Sequence, residues 1–253
     1  MSNFTSLETL QQKIRACRAC DLSVTSTQPV LGEGRPKARL FFLAQSPGEQ
    51  EDQEDRMFVG PSGKIFRELL HISGITWDDC YLTNLVKCWI PHSRQPKKTE
   101  IIACNHFLLS ELELCQPEIL VPLGFYATRC IFDLFKNETL HRDEFSHVIG
   151  RFQVSKNHGI YPLSHPASVL YQPELRNSLE CSYAKLAVLK QPCKWHHVCP
   201  ITRFAKLGLI DDYWPRYYCY GDWSSCTRYK MEEEGVFHPD SMMPDGTIDT
   251  TLR

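Results

Sequence analysis

Short apolar runs alternate with helical patterns from about residue 38 to 190, and this rhythm constrains the chain more than any other feature. It is what parallel strands joined by crossover helices leave in a sequence. Arg39–Ala44 (RLFFLA), Tyr81–Val86 (YLTNLV) and Ile119–Leu123 (ILVPL) are too short and too continuously apolar for surface helices, so they read as buried strands. A helix is expected after each. Pro61–Ile72 opens on a proline suited to a first helical position and sets Ile65, Phe66, Leu69 and Leu70 on one face; Thr99–Leu114 does likewise with Ile101, Leu108 and Leu112. Arg151–Val154 and Ile160–Leu163 read as two further strands before a helical Pro173–Leu189. The fold class is therefore α/β, three layers (α/β/α) around a mostly parallel sheet. In such sheets ligands bind beyond the carboxyl ends of the strands, so Gln45, Ser46, Pro47, Asn84, Gly124 and Ser164–Pro166 are expected to share one crevice.

From about Gln191 the character changes. The remaining segment is aromatic, cysteine-rich and poor in Leu, Ile and Val, so it reads as a small module at 191–253 appended to a domain at 1–190. A segment with so little apolar material needs a staple. The chain has twelve cysteines, and Met1 to Thr9 lacks the basic start and apolar stretch of a secretory signal, which points to a cytoplasmic protein. Reduced thiols there serve metals more readily than disulfides. Cys17 and Cys20 form a close pair, Cys88 and Cys104 a distant one, and together they are candidate ligands for zinc or a cubane cluster. Cys193, Cys199, Cys219 and Cys226 bracket the tail as a possible second metal site, with His196 and His197 as further candidates. Cys80, Cys115, Cys130 and Cys181 read as packing residues.

No apolar run reaches the roughly 20 residues of a membrane span, so no membrane partner is expected. The net charge of −2 excludes nucleic-acid binding through bulk positive charge, leaving a local patch at Lys87, Arg94, Lys97 and Lys98 to meet phosphates.

The segments CRAC, GEGRPKARLFFLAQSPGEQED, RMFVGPSGK, YLTNLVKCWIP and SHPASVL occur in one order over about Cys17 to Lys190. In that order and spacing they resemble the family 4, iron–sulfur branch of the uracil-DNA glycosylase superfamily. The resemblance implies a 4Fe–4S cluster on Cys17, Cys20, Cys88 and Cys104. It makes Phe58 the ring that stacks on an extruded base, Asn84 the amide that reads the base edge, and His165 the group that steadies charge on the departing base. Val169 and Leu170 fall on the loop that fills the gap left in the duplex, and Glu51 on the residue that crowds the pyrimidine 5-position. The first motif departs from the family's Gly-Glu-(Ala or Gly)-Pro-Gly. Here Ala44, Gln45, Ser46, Pro47 and Gly48 stand in its place, so the motif glutamate is Gln45, whose neutral amide cannot take a proton from water.

Breaking a bond between deoxyribose and a pyrimidine separates a cationic sugar from an anionic base, so charge stabilisation outweighs a strong nucleophile. A donor aimed at the developing oxyanion is worth about 3–4 kcal/mol, and His165 suits that role. Gln45 is then a candidate to position water and to contact the base, Ser46 is a further catalytic candidate, and Glu51 or Asp52 is a candidate to accept the proton. Arg94, Lys97 and Lys98 are the candidate phosphate contacts. The leading expectation is a monomeric glycosylase acting on uracil in DNA, with no nucleotide cofactor. Two rivals are excision of a hydroxymethylated or glucosylated phage cytosine in antiviral defence, suggested by Gln45, Ser46 and the tail, and a non-catalytic DNA-binding or sensing protein.

Overall fold

All five residues of Leu40–Ala44 are buried, as only a strand covered on both faces allows. In the computed structural model, which describes residues 6–136, 138–155 and 157–252, this run is one of six strands. They are β1 (Glu33–Gly34), β2 (Leu40–Ala44), β3 (Cys80–Asn84), β4 (Ile119–Pro122), β5 (Gln153–Val154) and β6 (Gly159–Ile160), ordered β1-β3-β2-β4-β6-β5. β2 runs parallel to β3 on one side, with Leu40 opposite Cys80 and Ala44 opposite Asn84, and parallel to β4 on the other. β6 continues the parallel set, and β1 and β5 close the edges antiparallel.

The alternation of β2 divides the core. Leu40, Phe42 and Ala44 face Phe66, Leu69 and Leu70 of the helix Pro61–Ile72, together with Leu179, Tyr183 and Leu186. Phe41 and Leu43 face the other way, against Leu108 and Leu112 of the helix Lys98–Cys115 and Ile131 and Phe132 of the helix Phe125–Phe135. The expected three layers are present. From β2 the chain passes to β3 on one side, then crosses over to β4 on the other. That reversal opens a crevice at the carboxyl ends of β2 and β3.

Some boundaries differ from the sequence reading. β3 stops at Asn84, but Leu85 and Val86 stay tied to the β2 end, donating to the carbonyls of Ala44 (2.8 Å) and Gln45 (3.0 Å). The run Ile160–Leu163 is strand only to Ile160; Pro162 has no N–H to give a ladder, and Leu163 rejoins as a single parallel bridge to Leu123. The helical Pro173–Leu189 is three short pieces, Pro173–Leu175, Arg176–Ala184 and Leu186–Leu189. β1, with two residues, carries no readable pattern.

Lys87 is not part of a basic surface. Its Nζ is buried, ion-paired to Glu111 at 2.6 Å and donating to Thr83 Oγ1 (2.6 Å) and the Asn84 carbonyl (2.9 Å). A buried ammonium requires such a partner.

The tail has a small cluster of its own, Ile201, Phe204, Cys219, Met243 and Leu252. Arg39 Nε donates to the Leu189 carbonyl at 3.0 Å, and its guanidinium also reaches the Tyr220 carbonyl. Lys185 pairs with the buried Asp222 at 2.6 Å, and Tyr217 meets Phe152 edge to face at 5.6 Å. Arg39 precedes β2, so these contacts lie toward the amino ends of the parallel strands, away from the crevice.

Candidate active site

At the carboxyl ends of β2 and β3, one pocket is lined by Ser46, Glu51, Met57, Phe58, Asn84 and His165, with Ala44, Pro47, Gly48 and Ser62 completing it. Phe58, Asn84 and His165, the residues that the family resemblance assigns to the base, therefore share one pocket.

Phe58 reaches it in a strained backbone conformation, φ 54°, which is costly for an aromatic residue and persists only where neighbours over-determine it. Those neighbours are visible. The Phe58 ring stacks on Phe66 at 4.1 Å between centroids, and its carbonyl lies against Gly63, where a Cβ would come within 1.9 Å. The glycine of PSGK is thus required by the approach of the Phe58 backbone. His165 follows β6, beside Gly124, whose φ of 85° lets the chain turn there. The Phe58 and His165 rings face one another at 6.5 Å and 27°.

His165 accepts the Ala167 N–H on Nδ1 at 3.1 Å, which leaves Nε2 as the protonated, donating nitrogen. Part of the ring meets solvent, yet the protein packed around it pushes its pKa down to about 4, so it is a neutral donor near pH 7. Asn84 is 2 % exposed, and its amide donates to Met57 Sδ at 3.1 Å, leaving its carbonyl and a second N–H for a ligand.

The acidic pair separates. Glu51 lines the pocket and accepts the Gly60 N–H at 2.9 Å. Asp52 does not line it: its carboxylate accepts the Ser26 hydroxyl and the Thr27 N–H (2.8 Å). Neighbours on a helix point about 100° apart, so only one of the two faces the crevice. Asp52 is corrected to a structural clamp, because Ser26 also accepts the Trp89 N–H at 3.1 Å and so ties the N-terminal cysteine loop to the segment after β3. Gln45 is likewise absent from the lining, and its carbonyl serves the Val86 N–H; Ser46 is present.

Leu170 is 48 % exposed on the turn of helix Ser168–Tyr171, whereas Val169 packs against the core. Arg94 pairs with Glu100 at 2.6 Å, which offsets its charge; Lys97 and Lys98 are exposed. The sequence reading missed Met57 and Ser62, although both stand in RMFVGPSGK, and Tyr171, 79 % exposed beside Leu170.

Cys17, Cys20, Cys88 and Cys104 line a second cavity with Ile14 and Phe107. Leu10 and Ile14 of the helix Leu7–Arg15 pack on Phe107, bringing the first pair to the second. Burial first, then the neighbouring thiols, push the Cys88 pKa up to about 12. Cys193, Cys199, Cys219 and Cys226 line a third cavity; His196 and His197 do not. Cys80, Cys115 and Cys130 are buried or half-buried, as packing residues should be, but Cys181 is exposed. Among the described residues, no three His, Cys, Asp or Glu side chains converge as a single-ion site.

The family described as "Uracil DNA glycosylase superfamily" matches residues 31–187. The chain is 37 % identical over 194 residues to the type-4 uracil-DNA glycosylase of Archaeoglobus fulgidus, covering 74 % of this chain and 96 % of that protein. It is 36 % identical over 189 residues to the type-4 enzyme of Sulfurisphaera tokodaii, covering 73 % and 84 %. Against that of Thermotoga maritima the identity is 40 % over 127 residues, half of this chain and 66 % of the relative. With its sheet, its pocket and these relatives in agreement, the chain belongs to the uracil-DNA glycosylase superfamily, beside the type-4 enzymes.

Proposed function

We propose that this chain is a glycosylase that takes uracil out of the DNA stack and hydrolyses the bond between base and deoxyribose, leaving an abasic site. The observation that carries the reading is the one pocket shared by Phe58, Asn84, Glu51 and His165 in a chain whose relatives are type-4 uracil-DNA glycosylases.

Extrusion costs a few kcal/mol, which stacking on Phe58 and insertion of Leu170 into the duplex offset. The free carbonyl and N–H of Asn84 then meet the base edge. As the N1–C1′ bond breaks, its electron pair leaves with the base, and the neutral His165 donates to the charge growing on the base oxygen. Water adds to C1′, and its proton passes to Glu51, which lines the pocket. Ser46 and the backbone around Gly48 orient that water. Lys97 and Lys98 contribute phosphate contacts, with Arg94 secondary because Glu100 holds it.

Cys17, Cys20, Cys88 and Cys104 would hold a 4Fe–4S cluster, since the four thiols line one cavity and a cubane takes four cysteine ligands. Such a cluster supplies rigidity, anchoring the segment that joins Asn84 to the helix Lys98–Cys115. Cys88→Ala should then lose brown colour and melting temperature together, and an unchanged melting temperature would count against this role. Twelve free cysteines suit a reducing cytoplasm, and among the described residues no helix is long and apolar enough to cross a membrane. The enzyme acts as a monomer and needs no nucleotide cofactor.

The test is incubation with uracil-containing, plain and modified-cytosine DNA, followed by alkali. Breaks confined to uracil are expected. Breaks confined to modified cytosine, or none at all, would overturn the assignment.

A further inference from the structure

The tail, residues 188–253, lies beyond the stretch that matches the family, and nothing in the glycosylase chemistry uses it. We propose that Cys193, Cys199, Cys219 and Cys226 hold a second, separate metal centre of a thiophilic type, a four-thiolate site that staples the tail.

The four residues come from four different local structures. Cys193 follows the helix Leu186–Leu189, Cys199 precedes the helix Pro200–Lys206, Cys219 ends the turn Pro215–Cys219, and Cys226 precedes the helix Thr227–Glu233. They nevertheless line one cavity of about 90 Å³. Three of them are no more than 8 % exposed, and the Cys193 N–H donates to the Cys219 carbonyl at 2.8 Å, joining the first and third segments directly. Four thiols from four separate segments lining one cavity is the arrangement that ligands of one centre take.

Charge supplies a second, independent observation. Arg228 lines the same cavity and is 3 % exposed. Its Nη1 donates to the carbonyls of Pro239 (2.8 Å), Asp240 (3.2 Å) and Met242 (2.8 Å), while its Nε has no hydrogen-bond partner. Among the described residues, no carboxylate stands within ion-pair distance of it. Its acidic neighbour in the cavity is the Cys199 thiol, with which it hydrogen-bonds, and a buried guanidinium is favoured there when that sulfur is a thiolate. Four thiolates around an oxidised cubane carry a net charge of about −2, which gives Arg228 a counter-charge.

The third observation is the size of the apolar cluster. Ile201, Phe204, Met243 and Leu252, with Cys219, form the tail's own buried apolar cluster, and among the described residues its two α-helices have seven residues each. A segment with so small a cluster gains much of its stability from a staple. The tail in turn covers the amino ends of the strands through Arg39, Asp222 and Tyr217, so the centre acts on the fold from the end opposite the base pocket.

The experiment uses the full chain purified without oxygen. Iron, zinc and acid-labile sulfide are measured per chain in the wild type, Cys226→Ser and Cys88→Ala. The wild type should carry metal beyond the four irons of one cluster, as a second set of iron and sulfide. Cys226→Ser should lose that excess and keep four irons, with a lower melting temperature and retained uracil excision at low temperature. Cys88→Ala should keep the excess. A wild type with no metal beyond one cluster, a Cys226→Ser protein with unchanged metal, or disulfides joining the four cysteines in the anaerobic protein would each overturn the proposal. None of these readings depends on the excision assay, so failure here is distinct from failure of the glycosylase reading. The wild-type analysis stands even if the variant does not fold.

Discussion

Replacing His165 with alanine tests the claim that the pocket works through a neutral donor. Its Nδ1 is engaged by the Ala167 N–H at 3.1 Å, so Nε2–H is the atom available to the departing base. Removing one preorganised donor of this kind costs about 100- to 1000-fold in rate, equivalent to roughly 3–4 kcal/mol of barrier. Single-turnover excision from a uracil oligonucleotide with enzyme in excess isolates the chemical step. The pH profile adds a second reading. With its pKa pushed down to about 4 by burial, His165 stays neutral from pH 5 upward, so the wild-type rate should show no limb near the ordinary histidine value of 6.5 that His165→Ala removes. Linkage has a defined sign. The unfolded chain takes up the proton first, so the contribution of this residue to stability is complete above pH 6.5 and declines toward pH 4. That decline amounts to at most about 3 kcal/mol, and less because part of the ring is solvated. A His165→Ala protein within tenfold of the wild-type rate, or a wild-type limb near pH 6.5 that vanishes in the variant, would refute the neutral-donor reasoning.

Glu51→Gln keeps an oxygen for the Gly60 N–H but cannot take a proton. Its single-turnover rate should fall about 100-fold or more, with little change in affinity for uracil DNA; full activity would return the question to Ser46. Asp52→Asn should behave oppositely, lowering the melting temperature through Ser26 and Thr27 while sparing the rate. Lys87→Met leaves Glu111 buried without its cation, so urea unfolding should show a loss of about 3–5 kcal/mol, largely recovered in the Lys87→Met, Glu111→Leu double variant. A loss under 1 kcal/mol would contradict the buried pair. Leu170→Ala should weaken excision from duplex DNA about tenfold while leaving single-stranded DNA nearly unaffected, because only the duplex leaves a gap to fill. Equal losses on both would exclude a wedge.

Much of the fold was legible from the residues, wherever one face or both faces of an element had to be apolar. Pro61–Ile72 has the bounds its periodicity and opening proline suggested, and the three apolar runs are the three central parallel strands to within two residues. That Asn84 and His165 meet followed from a general property of parallel sheets, whereas Phe58 was placed with them by the family resemblance alone. What spacing could not decide was direction. Glu51 and Asp52 are adjacent, yet one lines the pocket and the other clamps a loop, because a helix turns between them. Lys87 read as surface charge until Glu111, 24 residues away in sequence, came to lie against it. The strained φ of Phe58 depends on Gly63 and Phe66, neither of which determines it alone. Composition and periodicity thus fixed which residues must be buried and which elements carry them. Only tertiary packing, by bringing distant side chains within a few ångströms, decided which charges are paired, which carboxylate meets the substrate, and that each set of four cysteines surrounds a single cavity.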